Sequence, residues 1–237
     1  PAYVSGLPED TLAERCELAQ KWQAQGFDSF KFALPIADEG AVEELKSLRE
    51  ALGGNARIAA DLHWSLTAEE SIDLARELSS FNPWFLEAPV APECIEALRK
   101  VAKQCEQKIA AGEEWRTLHE ARMRIDREAC HIVQPEMGHT GITEFLRIGR
   151  HAEKYGLTVI PHATIGSGIF LAASLQAAAS LDCATDHEYQ HSIFGPFRHF
   201  TGDRLRCEEG AFTVLDAPGL GVEPSEAMKK AITLIPV

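Results

Sequence analysis

The chain has 237 residues, 45% of them hydrophobic, and a formal net charge of −13 at a sequence pI near 5.1. That is enough apolar material for one large core, and the length suits a single (β/α) barrel as well as two small domains. The acidic balance argues against a nucleic-acid groove or an anionic membrane surface as the main partner, since both select basic patches.

Cys16, Cys94, Cys105, Cys130, Cys183 and Cys207 form no CxxC motif and no ladder of short spacings, the usage of a reduced protein with ordinary thiols. No apolar run approaches the ~20 residues of a membrane span, and the first residues lack a signal-peptide pattern. A soluble, cytoplasmic protein is the expectation.

From the first residue onward, short apolar runs alternate with longer amphipathic stretches. Strands are predicted over residues 2–5, 29–33, 57–62, 84–87, 108–111, 131–134, 158–161 and 184–188. Between them the pattern predicts helices over 11–25, 39–51, 68–78, 94–104, 117–124, 142–154 and 167–180. Acidic residues near helix starts (Glu9 and Asp10, Asp38 and Glu39, Glu69 and Glu70) complement the macrodipole. Gly26, Gly53 and Gly156 stand where C-terminal caps belong. Eight strands alternating with seven helices predict an α/β fold, a TIM-type (β/α)7β barrel. No Gly-rich turn follows the first strand, against a dinucleotide-binding sheet. Residues 194–237 are rich in Gly, Pro and charge and end in a short helix around 225–232. One domain, 1–237, is expected, with 194–237 as its turn-rich tail.

Barrel enzymes carry their chemistry at the carboxyl ends of the strands. Asp61 ends "RIAADLHW", Glu87 ends "WFLEAP" and Glu113 ends "KIAAGEEW", each capping an apolar strand, separated by two intervals of 26 residues. Three carboxylates brought within ~4 Å repel by about 4 kcal/mol per pair at an effective dielectric near 20. Such a site persists with a cation or with captured protons. Oxygen ligands without Cys or His favour a hard ion, and Mg²⁺ is the natural candidate.

The series continues along the chain. The sixth strand leads to Glu136, the seventh to His162 and the eighth to Glu188. A histidine facing metal-ligating acids is placed to act as a base, with Glu136 one strand away to hold its tautomer. Glu188 can hydrogen-bond substrate or a developing enediolate. Lys31, in "SFKFALP", puts a cation at the barrel mouth, suited to a substrate carboxylate. His63, two residues past Asp61, shares its face if the segment stays extended, and becomes a candidate general acid. His139, His187 and His191 are nearby histidines without a ranked role; His187 should point away from Glu188.

Asp61, Glu87 in "LEAP" and Glu113 in "AGEE" resemble the three metal ligands of the enolase superfamily. "QPEMGHTGITE" and "IPHATIG" resemble the sixth- and seventh-strand signatures of its mandelate racemase and muconate lactonizing enzyme group. The resemblance runs from about Tyr3 to Gly221 and implies a C-terminal catalytic barrel, Mg²⁺, and a histidine–carboxylate dyad as base. Three departures stand out. The dyad acid is Glu136 rather than aspartate. The second-strand Lys-x-Lys pair is reduced to Lys31, with Ala33 in the second place, which disfavours a two-base racemase. The N-terminal capping domain of the family is expected to be absent from this chain. The residues that remain suit dehydration of an acid sugar to a 2-keto-3-deoxy acid in carbohydrate catabolism. A cycloisomerase or epimerase, and an inactive barrel serving as a binding module, are the alternatives. A homo-oligomer acting on a small acidic sugar is the implied setting.

Overall fold

The structure is a computed structural model in which residues 1–163, 168–201 and 204–231 are described. Strands β1 (Ala2–Ser5), β2 (Ser29–Ala33), β3 (Arg57–Asp61), β4 (Leu86–Glu87), β5 (Ile109–Ala111), β6 (Ile132–Val133), β7 (Thr158–Val159) and β8 (His187–Tyr189) form one parallel sheet. Its order is β7-β6-β5-β4-β3-β2-β1-β8, so sequence neighbours are also spatial neighbours, except where β8 closes on β1. A Val159–Ala184 bridge, extended by Thr185 N–H donating to the Val159 carbonyl at 3.3 Å, joins the two ends. The sheet thereby curls into the expected barrel.

Helices α1 (Leu12–Gln23), α2 (Ala41–Leu52), α3 (Ala68–Leu78), α4 (Ile95–Gln104), α5 (Leu118–Ile125), α6 (Met137–Lys154) and α7 (Gly168–Ala178) connect the strands. Three of them begin identically. Thr11, Thr67 and Thr117 each accept from the backbone of a glutamate three residues on, and that glutamate reaches back to the cap. Such reciprocal capping satisfies two otherwise orphaned N–H groups and fixes where each helix starts. Gly26, Gly53 and Gly156, the predicted caps, all take positive φ. The predicted start of the sixth helix at Ile142 coincides with a break: Gly141 (φ 61, ψ 172) separates a single turn after Glu136 from the helix proper. The end of the "IPHATIG" signature, residues 164–166, and the predicted helix ends at 167 and 232 lie outside the described residues.

Strands β6 and β7 are shorter than predicted because Pro135 and Pro161 donate no ladder hydrogen bond. Pairing resumes beyond them as a bridge between Glu136 and His162. The period of two then sorts the barrel interior into layers. At the amino end Arg57 pairs with Asp186 at 2.7 Å and stacks 4.3 Å over Trp84. Tyr3, Ala59, Phe85, Ala110, Ile132 and Ile160 fill the middle as one buried apolar cluster. Each large member stabilises the fold by about 2 kcal/mol. Above this plug the inward positions turn polar, which places the chemistry at the carboxyl end. The outer faces of the strands (Val4, Phe30, Ile58, Val133) pack against helix residues such as Leu45, Leu48, Val101 and Ile148.

After β8 the chain forms α8 (His191–Phe197), a hairpin of β9 (Cys207–Glu208) and β10 (Ala211–Phe212), and α9 (Glu226–Ala231). The hairpin abuts the start of β1, where the Gly210 carbonyl accepts from Ala2 N–H at 2.8 Å.

Candidate active site

Asp61 and Glu87 end adjacent strands and are register partners. Glu87 also pairs with Ala110, so Glu113 sits three positions farther toward the mouth, in the turn after β5 where Trp115 N–H donates to the Gly112 carbonyl. The equal 26-residue spacing therefore does not mean equal depth: Asp61 and Glu87 are strand ends, whereas Glu113 belongs to a loop.

Lys31 lies at the base of the mouth, 3% exposed. Its Nζ donates to Glu87 Oε1 at 2.6 Å and pairs with Glu188 Oε1 at 3.0 Å. Burial works against its charge, yet the Glu188 and Glu87 carboxylates outweigh burial and hold its pKa well above the usual lysine value. The second oxygen of Glu87 accepts from Gln134 Nε2 at 2.6 Å. Burial, opposed by Lys31 but reinforced by Asp61, Glu113 and Glu188, still pushes Glu87 up to about 8. Glu188 moves the other way. Despite burial, Lys31 and His162 hold it down to about 2, and its Oε2 also accepts from Ala163 N–H at 2.6 Å.

His162 hangs between carboxylates. Its Nδ1 lies 2.8 Å from Glu136 Oε2, and its Nε2 lies 2.9 Å from Glu113 Oε2 and 3.8 Å from Glu188 Oε2. Burial would lower its pKa, but Glu188, Glu113 and Glu136 overcome that and raise it well above the ordinary imidazole value. Glu136 is itself anchored, since its Oε1 accepts from Gly138 N–H at 3.1 Å. The dyad expected from sequence is thus formed, with the longer glutamate capping the turn that follows it.

His63 reaches Asp61 by a different route from the one predicted. The chain leaves the extended conformation at once: His63 and Trp64 have φ of 51° and 55°. This turn folds the ring back, so that His63 N–H and Nδ1 lie 2.9 and 3.0 Å from the two Asp61 oxygens. Left-handed conformations in two consecutive bulky residues are costly, and they concentrate at functional sites. The Asp61 carboxylate raises the pKa of His63. His187 points away from Glu188 as expected, its Nε2 2.8 Å from Ser174 Oγ, and burial lowers it to about 4.

Lys31, Asp61, His63, Glu113, His139, His162 and Glu188 line one cavity of about 400 Å³. Glu87, Glu113 and His162 present ligand atoms within 4.8 Å of one another, a candidate metal-binding group; Asp61 stands outside that group, held by His63. Five carboxylates (Asp61, Glu87, Glu113, Glu136, Glu188) face Lys31 and the imidazoles of His63 and His162 here. That excess of acidic oxygen donors fits a hard divalent cation. Gln134 escaped the sequence reading, although its signal was available: it precedes Glu136 by two and so shares its inward face.

A closed parallel barrel with acids and a histidine converging at the carboxyl ends of its strands defines the class, a (β/α) barrel with a polar mouth over an apolar plug. Residues 14–228 match the enolase C-terminal domain-like family, and the chain belongs to it. It is 31% identical over 230 residues to a D-galactonate dehydratase of Xanthomonas euvesicatoria pv. vesicatoria, covering 88% of this chain and 59% of that protein. A D-galactarolactone cycloisomerase of Agrobacterium fabrum is 28% identical, with 94% and 62% covered. Among solved structures, a member of the enolase superfamily from Agrobacterium tumefaciens superposes with a TM-score of 0.95 at 54% identity, covering 97% of this chain and 59% of that one. The chain spans about three fifths of the length of these relatives.

Proposed function

We propose that the enzyme to which this barrel belongs is a Mg²⁺-dependent hydro-lyase that dehydrates a sugar acid to a 2-keto-3-deoxy acid. The observation that carries this reading is the His162 imidazole, held by Glu136 and aimed into the acidic cavity. Asp61, Glu87 and Glu113 would hold the ion, which when bound would supply positive charge to stabilise an enediolate.

In its neutral form, with Nδ1 donating to Glu136, His162 takes the proton alpha to the substrate carboxylate at Nε2, and Glu136 fixes the ring and stabilises the imidazolium that results. Lys31 keeps Glu188 ionised, and Glu188, bound by Ala163 N–H, lies 3.8 Å from His162 Nε2, where its charge favours the imidazolium that forms. His63, exposed at the rim and polarised by Asp61, delivers a proton to the departing beta-hydroxyl, which leaves as water. The enol product then tautomerises to the ketone. The dehydratase relative supports this choice of reaction, and the single lysine of β2 is consistent with a one-base mechanism.

The cycloisomerase relative favours a second reading, in which the same enediolate forms but no hydroxide departs. Incubating the intact enzyme with a panel of aldonates, with and without Mg²⁺, separates them. The dehydratase reading expects Mg²⁺-dependent 2-keto acid. Deuterium entry from D₂O without keto acid supports the cycloisomerase, and neither outcome across the panel leaves a binding barrel.

A further inference from the structure

The first turn after β6 does more than anchor Glu136. His139 N–H and Thr140 N–H both donate to the Glu136 carbonyl at 3.1 Å. Thr140 Oγ1 donates to the same oxygen at 2.9 Å. Gly138 lies so close under Phe170 that a Cβ there would meet the ring at 1.8 Å. The turn is therefore fixed from both sides, and its one long polar side chain outside the dyad is His139.

That ring is aimed by a single bond: Nδ1 lies 2.9 Å from the backbone carbonyl of Glu113. A carbonyl only accepts, so Nδ1 carries the hydrogen, and in the neutral ring Nε2 is left as an acceptor. His139 is exposed and lines the same cavity as Asp61, His63 and His162. An acceptor at the rim reads a hydrogen-bond donor. On the sugar-acid reading the reacting carboxylate goes to the cation held by the acids and the alpha-carbon to His162, which leaves the remainder of the substrate to reach His139.

The geometry points to His139 as a specificity-determining residue that accepts a hydrogen bond from a distal hydroxyl of a polyhydroxylated acid. This rests on the sugar-acid reading above and sharpens it, because an acid without hydroxyls beyond the beta-carbon gains nothing from this contact. His139 also tethers the Glu113 turn, so its test must separate recognition from support.

The measurement is calorimetric binding to the intact enzyme with Mg²⁺, comparing six-carbon aldonates, D-galactonate among them, with glycerate, which ends at the beta-carbon. His139→Phe should weaken the best-bound aldonate about three- to tenfold, the worth of one neutral hydrogen bond, and leave glycerate unchanged. His139→Gln, which keeps an acceptor, should recover part of the loss. Equal weakening of both ligands, accompanied by weaker Mg²⁺ binding, overturns the proposal in favour of a purely supporting role. So does an unchanged aldonate affinity. A wild type that binds no aldonate at all overturns the sugar-acid reading together with this one, whereas the other two results overturn this one alone.

Discussion

Replacing Lys31 by Met keeps most of the apolar stem of the side chain and removes the ammonium group with its charge and its hydrogen bonds. In the wild type that charge lies 2.6 Å from Glu87 and 3.0 Å from Glu188, with all three side chains almost wholly buried. Removing one partner of a buried ionic cluster leaves uncompensated carboxylates and costs about 3–5 kcal/mol. For a domain of this size each kcal/mol moves Tm by roughly 2–4 °C, so a drop of about 6–20 °C is expected. Urea unfolding of the intact enzyme, followed by the fluorescence of the barrel tryptophans, measures the free energy. Mg²⁺ should stabilise the variant more than the wild type, because a cation on Glu87 then replaces the missing ammonium; at 100-fold excess over Kd such linkage contributes about 2.7 kcal/mol. A variant within about 0.5 kcal/mol of wild type, or one indifferent to Mg²⁺, refutes the charge balance argued for the floor of the site.

Glu136→Gln removes the charge that supports the His162 imidazolium. It should lower kcat by about 10²-fold or more and move the acid limb of the rate profile to lower pH, which a pH series of initial rates checks. His187 sits neutral, with Ser174 Oγ and the Glu188 carbonyl on its two nitrogens. Its folded pKa of about 4 lies below the unfolded value, so the unfolded chain takes the proton first as the solution is acidified. Its stabilising contribution is thus complete above about pH 6.5 and falls by about 3 kcal/mol between there and pH 4. His187→Gln should flatten that part of the stability profile. Gly138→Ala drives a methyl into Phe170; overpacking of this kind costs about 1–3 kcal/mol. It should also reduce kcat through the Glu136 turn, and both losses should be relieved by a second change, Phe170→Leu.

Periodicity and turn chemistry made the barrel readable. Strand β2 ends where predicted at Ala33, and the helix after Thr67 runs over the predicted residues, because apolar alternation and capping residues act locally. The acids at strand ends were readable for the same reason, since Asp61, Glu87, Glu136 and His162 follow directly from strands whose alternation aims them inward. What escaped depended on contacts between strands. Nothing local to "SFKFALP" says that Lys31 is buried between Glu87 and Glu188, because both partners arrive from distant βα units. The depth of Glu113 depends on the stagger of β4 against β5, which residue counting ignores. His63 and Asp61 were expected to share the face of an extended segment, whereas a left-handed turn brings them together. Gln134 carries no charge to mark it in the sequence, and its part in the site comes only from the contact of its amide with Glu87 across strands.

The account turns on His162 withdrawing a proton from the alpha-carbon of a sugar acid. Deuterium exchange at that carbon, followed by NMR in D₂O with Mg²⁺ and an aldonate that the intact enzyme binds, tests this directly. Wild-type enzyme should exchange or eliminate the alpha-hydrogen, while His162→Asn should do so about 10²–10⁴-fold more slowly, with unchanged affinity for Mg²⁺. Exchange that persists in the variant contradicts the assignment of the base, and a collapse of Mg²⁺ affinity instead makes His162 a ligand alongside Glu87 and Glu113.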